Sequence, residues 1–181
     1  MTPDVAPEAT PEVRLRALTL PDCDAAARWG EDPDFCAYAG WTVDRSTADR
    51  ARLWRELVRD PHDDLLRLAA VDVAGALVGY VDFMGLGRDR RELGYLVGSR
   101  AHWGRGWGTA IAAAGLDHGF AVLGLREIWA ESLDANEPSV RILERLGMTE
   151  TGVGDDGEFL GRPSYFRRFA ITRPTWVARQ S

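Results

Sequence analysis

Trp103-Gly104-Arg105-Gly106-Trp107-Gly108 is the stretch on which the fold turns. Upstream, Glu92 to Gly98 reads as a strand. Downstream, Thr109 to Leu123 is Ala-rich, and Ile111, Gly115 and Val122, with Ala112, Leu116 and Leu123, recur near helical spacing. The small residues let such a helix lie close against a sheet. Glycines between a strand and a helix bring backbone N–H groups near a ligand, and the helix N-terminus favours an anion. The loop therefore reads as a phosphate cradle, although a tight strand–helix turn without a ligand would use the same glycines. Two rival phosphate motifs fail. GxxxxGK[ST] needs a lysine, and GxGxxG needs a glycine where Thr109 stands.

Working outward, Val13 to Leu18 alternates as a first strand, and Pro21-Asp22 opens a helix through about Trp29. Asp32-Pro33 reads as a break. Ser46 to Arg59 is an amphipathic helix with Leu53, Trp54, Leu57 and Val58 on one face. Leu65 to Val73, Leu77 to Leu86 and Glu92 to Gly98 form an antiparallel meander through turns at Ala74-Gly75 and Gly87-Arg88-Asp89. After the long helix come a strand, Glu127 to Leu133, and a short helix, Pro138 to Leu146, closed by Gly147. Met148 to Val153 and Tyr165 to Thr172 read as two last strands around a loop at Gly154-Asp155-Asp156-Gly157. This order predicts an α+β chain, an α/β mixed sheet, with one domain over 13–181 behind a disordered tail over 1–12.

Composition bounds the function. The chain has 181 residues and net charge -6, which disfavours nucleic acid as a partner. No apolar run reaches the roughly 18 residues of a membrane span, and residues 1–12 lack the basic and apolar regions of a signal peptide. The expectation is a cytoplasmic protein without a membrane partner. All 22 basic residues are arginine, which excludes lysine chemistry. Cys23, Cys36 and the three histidines are scattered, so no metal site is expected.

A second segment lies about 30 residues past the glycine loop: Asn136-Glu137-Pro138-Ser139, continuing through Ile142-Leu143 to Leu146-Gly147-Met148. Alone, it is a well-capped helix. The two segments in this order resemble the GNAT family of N-acetyltransferases, nearest its RimJ/RimL-type ribosomal-protein-alanine branch. Glu92-Leu93-Gly94-Tyr95 is similar to that branch's central strand, and Arg173-Pro174-Thr175-Trp176 to its closing Arg-x-x-Trp. The resemblance covers about residues 13–176. Met148 stands in place of the usual phenylalanine, and Leu143 where many members carry a tyrosine as general acid.

The resemblance implies a GNAT-like fold in which acetyl-CoA, or another acyl-CoA, enters a cleft between splayed parallel strands, here Glu92–Gly98 and Glu127–Leu133. Its pyrophosphate would meet the backbone of Trp103, Gly104, Arg105, Gly106, Trp107, Gly108 and Thr109. The pantetheine would pair near Leu96, Val97 and Gly98, with Asn136 positioning it. An amine acceptor, a protein N-terminus or a small molecule, attacks the thioester directly, and Ser139 donates to the thiolate. An α-amine is roughly 10% neutral at pH 7, so it needs only modest help from a base. Glu92 is the first candidate base, Asp82 the second and Glu131 the third; a strand carboxylate paired with arginine would fit each position as well. A non-catalytic acyl-CoA-binding or interaction module on the same fold is the competing class. The resemblance also leaves room for a homodimer.

Overall fold

The computed structural model describes residues 10–180, so most of the tail expected over 1–12 lies outside the described residues. The elements are β1 (Arg14–Ala17), α1 (Leu20–Trp29), α2 (Pro33–Ala39), α3 (Thr47–Arg59), β2 (Leu65–Val71), β3 (Leu77–Met84), β4 (Arg90–Val97), α4 (Trp107–Ala121), β5 (Glu127–Leu133), α5 (Glu137–Arg145), β6 (Thr149–Phe159), β7 (Arg162–Thr172) and α6 (Arg173–Gln180). One seven-stranded mixed sheet has the order β1-β2-β3-β4-β5-β7-β6. Every neighbouring pair is antiparallel except β4 and β5. Among the described residues, no helix is long and apolar enough to cross a membrane.

Three expectations need correction. Asp32-Pro33 starts a helix instead of breaking one. The Asp32 side chain accepts from the N–H groups of Asp34 and Phe35, and Pro33 takes the first turn, where a missing N–H costs nothing. The expected loop at 154–157 is strand. β6 runs through it with register shifts between Glu150 and Gly152 and between Val153 and Asp156, so the glycines mark bulges in a continuing ladder. The terminal residues from Arg173, expected only as a closing motif, form α6, whose Trp176 is buried and donates to Asp117.

The two sheet faces are packed differently. On one, α4 lays Ile111, Leu116 and Phe120 against Val81, Phe83, Leu93 and Ile128. On the other, α1 and α3 bring Cys23, Ala26 and Trp54 to Tyr80 and Leu96. The α1 end is fixed by Asp22, which accepts from the Thr19 N–H at 2.7 Å and from Arg16 at 2.6 and 2.9 Å. His118, on α4, stands by the Phe83 ring at 6.0 Å and packs rather than facing a site.

α4 can approach the sheet because it lacks side chains where it touches. A Cβ at Gly115 would come 2.8 Å from Leu93, and one at Gly119 would come 2.5 Å from Ile128 and 2.9 Å from Phe83. Glycine costs a helix interior about 1 kcal/mol relative to alanine, so Gly119→Ala tests which effect is larger. The contacts are with fully buried side chains that have no room to withdraw. We expect a net loss of about 1–3 kcal/mol in urea denaturation. A stabilised variant would mean that propensity outweighs the close approach.

Candidate active site

β4 and β5 pair for only three residues: Arg90 with Glu127, Arg91 with Ile128, and Glu92 with Trp129. Beyond these pairs β4 stays bonded to β3, and β5 to β7. The facing edges of 93–97 and 130–133 are therefore free of each other, and the sheet opens between them. A cleft of about 560 Å³ lies at this opening, with Tyr95, Leu96 and Val97 of β4 on one wall. Trp103, Gly104 and Gly108 form its glycine-loop end, and Asn136, Ser139 and Ile142 its α5 wall.

The loop end suits an anion. Gly106 is the N-cap of α4 at φ +84°, a left-handed conformation that favours glycine, and no side chain caps this helix. The first intrahelical bond runs from the Ala110 N–H to the Gly106 carbonyl, so the amides of Trp107, Gly108 and Thr109 precede the ladder. By contrast α2, α3 and α5 are capped by Asp32, Ser46 and Asn136. An uncapped N-terminus with a glycine N-cap fits the pyrophosphate of an acyl-CoA.

The roof of the cleft escaped sequence reasoning because α2 did. Phe35, Tyr38 and Ala39 line the cleft. Arg100 clamps α2 in place through ion pairs to Asp32 and Asp34, each 2.5 Å. Tyr38 touches Trp103 at 5.0 Å and Phe159, on the β6–β7 hairpin, at 5.5 Å. The Asp32-Pro33 pair was the available signal, since Asp-Pro is as good a helix start as a turn.

Residues 12–149 match the family described as the acetyltransferase (GNAT) domain. The chain belongs to the GNAT acetyltransferase family. It is 28% identical over 154 residues to the uncharacterized N-acetyltransferase p20 of Bacillus licheniformis, covering 82% of this chain and 85% of that one. The fold is shared with a spermidine N-acetyltransferase from Vibrio cholerae, solved in complex with CoA and spermine (TM-score 0.76, 21% identity, 92% of this chain and 98% of that one). A GNAT-family acetyltransferase from Bacillus anthracis is similarly alike (TM-score 0.73, 20% identity, 90% and 96%).

In this GNAT chain the sequence-derived residues divide into two groups. Leu96, Val97, Trp103, Gly104, Gly108, Asn136 and Ser139 line the cleft together. Gly98 spends its N–H on the Val78 carbonyl at 2.8 Å, and the Trp29 ring fills the place a side chain would take. Arg105 and Gly106 are exposed on the loop, and Trp107 packs at a tilt against His102, 4.9 Å between ring centroids. Glu92 alternates with Leu93 and Tyr95, so it faces away from α4, on the side of its neighbour Trp129. Glu131 lies on that same face, two residues beyond Trp129, paired with Arg168 at 3.3 Å.

The carboxylates are not equivalent. Asp82 is buried and held by both Nε and Nη2 of Arg67, at 2.7 and 2.6 Å, which commits it to structure. Half-burial raises the pKa of Glu92, and the Glu131 charge raises it further, against the pull of Arg168. Across the sheet, Leu143 is fully buried and supplies no acid. The cleft holds two phenols, Tyr38 in its roof and Tyr95 beside Ser139; Tyr95 was overlooked as a site residue although it sits in the quoted Glu-Leu-Gly-Tyr strand. Its hydroxyl is 2.9 Å from Ser139 Oγ and donates to the Ser139 carbonyl at 3.1 Å; burial pushes its pKa up to about 12.

Trp103 and Trp107 flank the loop differently, and this is measurable. Trp103 lines the cleft, while Trp107 packs against the core. We expect CoA to change the intrinsic fluorescence, Trp103→Phe to remove most of that change, and Trp107→Phe to leave at least half. A full response in Trp103→Phe would place the cofactor elsewhere.

Proposed function

We propose that the chain transfers an acyl group from acetyl-CoA, or another acyl-CoA, to a primary amine by direct attack, with Glu92 as base and Ser139 as hydrogen-bond donor. The observation that carries this is the split between β4 and β5: an uncapped helix N-terminus lies on one side of it and the Glu92–Glu131 pair on the other. An acyl-CoA would supply the activated thioester. The amides at the start of α4 hold its phosphates, and the unpaired β4 edge along Leu96 and Val97 offers its backbone to the pantetheine. The donor side and the carboxylate side communicate only where the ladder has stopped.

Glu92 suits the base role because its raised pKa makes it a stronger proton acceptor than an ordinary glutamate. Glu131 and Arg168 stand beside it and set how far that rise goes. Tyr95 stays protonated at neutral pH and accepts from the Ser139 hydroxyl while donating to the Ser139 carbonyl; Ser139 exchanges that bond for one to the departing sulfur. Protein N-termini and small amines both satisfy this chemistry. The Trp-Gly-x-Gly loop, like that of the RimJ/RimL branch, supports the former, and the spermidine enzyme among the structural neighbours supports the latter.

Two variants test the reading. Glu92→Gln should lower turnover by roughly tenfold to a thousandfold and leave CoA affinity unchanged. It should also raise Tm at pH 7. A carboxyl with a raised folded pKa loses stability as pH climbs from its ordinary value of 4.5 through the folded value, and glutamine removes that loss. Near-wild-type turnover across pH 6–9 would eliminate Glu92. Gly106→Asp should weaken CoA binding by roughly tenfold or more, in calorimetry. Gly106→Asn tolerates the left-handed backbone without the charge, and both variants meet Pro11, whose Cδ lies 3.2 Å from a Cβ built there. Equal loss in the two would assign the effect to shape instead of charge.

A further inference from the structure

A second cavity, of about 270 Å³, lies between α3 and β3 on the sheet face opposite α4. Its walls carry Trp41, Trp54 and Tyr80 together with Arg45, Arg50 and Arg67, and no acidic side chain. In a chain with 28 acidic and 22 basic residues, a cavity lined by three arginines, of which Arg67 alone is bonded to a carboxylate, Asp82 outside the lining, is a local reversal of sign.

Arg50 is the telling residue. Its side chain is almost wholly buried, at 5% exposure. Nη2 donates to the carbonyls of Thr42 and Val43, at 2.6 and 3.3 Å, and reaches Cys36 Sγ at 3.9 Å. Nε has no hydrogen-bond partner and is sealed against Gly30, so the cavity meets the rest of this guanidinium; no carboxylate pairs with it among the described residues. Burying an unpaired charge is expensive, and buried guanidinium groups normally hold an anion. Arg67 shows the usual arrangement in the same cavity, with Asp82 bound at two points. Its guanidinium lies over the edge-to-face pair of Trp54 and Tyr80, 4.8 and 4.3 Å from the ring centroids, and Nη1 takes no part in the Asp82 bonds. Arg45 is exposed at the rim and acts electrostatically on Asp49.

The cavity adjoins the reaction centre. Tyr80 is the cross-strand partner of Leu96, and Gly40 follows Ala39; Leu96 and Ala39 both line the cofactor cleft. Cross-strand partners lie about 5 Å apart, so the two cavities are neighbours on the sheet, with Phe35 of the cleft against Trp41 of the cavity at 5.0 Å between ring centroids.

We infer that this cavity binds a carboxylate carried on an apolar frame, at the end of the acceptor remote from its amine. The inference rests on the amine-acceptor reading for the word acceptor, but not for the binding itself. The arginines take the carboxylate, and Trp41, Trp54 and Leu53 cover the frame. The same arginines repel an ammonium, so the site works against a polyamine. A peptide C-terminus and a small aromatic acid both present this chemistry.

The test uses the full chain. Binding is measured by calorimetry with phenylacetate, phenylacetamide and spermidine, without CoA. Phenylacetate should bind at least tenfold more tightly than phenylacetamide, and spermidine should not compete. Because Arg50 also ties down the 42–43 backbone, Arg45→Gln isolates binding from folding; it should weaken phenylacetate several-fold and leave CoA affinity unchanged. Turnover is then compared for Gly-Gly-Phe against its C-terminal amide, and for 4-(aminomethyl)benzoate against its amide. A carboxylate preference in the first pair assigns the peptide source, and in the second the small acid. Equal binding of phenylacetate and phenylacetamide overturns the inference, as does equal turnover within both pairs. Selective phenylacetate binding with no thiol release from any amine would keep the cavity and overturn the proposed acyl transfer instead.

Discussion

Parallel pairing between β4 and β5 ends after Glu92 and Trp129, and the functional architecture is arranged around that ending. A β-ladder normally continues, because each unpaired backbone group forgoes a hydrogen bond. Here the two strands are held apart by stronger commitments on their other edges. β4 keeps six residue pairs with β3, from Gly79–Val97 to Met84–Glu92. β5 is paired with β7 along its whole length. The gap is therefore a fixed property of the sheet, and the groups along it stand ready for a ligand's backbone-like amides.

What surrounds the gap follows from how each face is covered. α4 presses onto one face through Gly115 and Gly119, which brings its bare N-terminus to the gap's mouth. The opposite face carries Glu92, Glu131 and Arg168, with Arg168 paired to Glu131. Glu92 is thus kept less stable than an exposed glutamate. That cost in fold stability is the same property that improves it as a proton acceptor.

Much of this was legible beforehand. The strand–glycine–helix order, the Asn136 cap and β5 were readable because local periodicity and capping chemistry decide them. The failures were of two kinds. Asp32-Pro33 and the 154–157 glycines are signals with two local solutions, and tertiary contacts choose between them: Arg100 pins α2, and β7 holds β6 extended. Asp82 and Gly98 could not be read at all from spacing. Whether a strand carboxylate is idle or bound depends on Arg67, fifteen residues away, and Gly98 is small because the Trp29 ring lies against it.

The cations that organise this molecule are all guanidinium groups. Arg16 fixes α1, Arg67 holds Asp82, Arg100 clamps the roof, and Arg167 gathers Asp134, Glu144 and Glu150. A guanidinium stays protonated at any working pH and has no lone pair to offer a thioester. An ammonium in any of those places would be a nucleophile in waiting, within the same molecule that concentrates an acylating agent. The chain contains no side-chain amine, so its ion-pair framework is chemically inert toward the donor it handles.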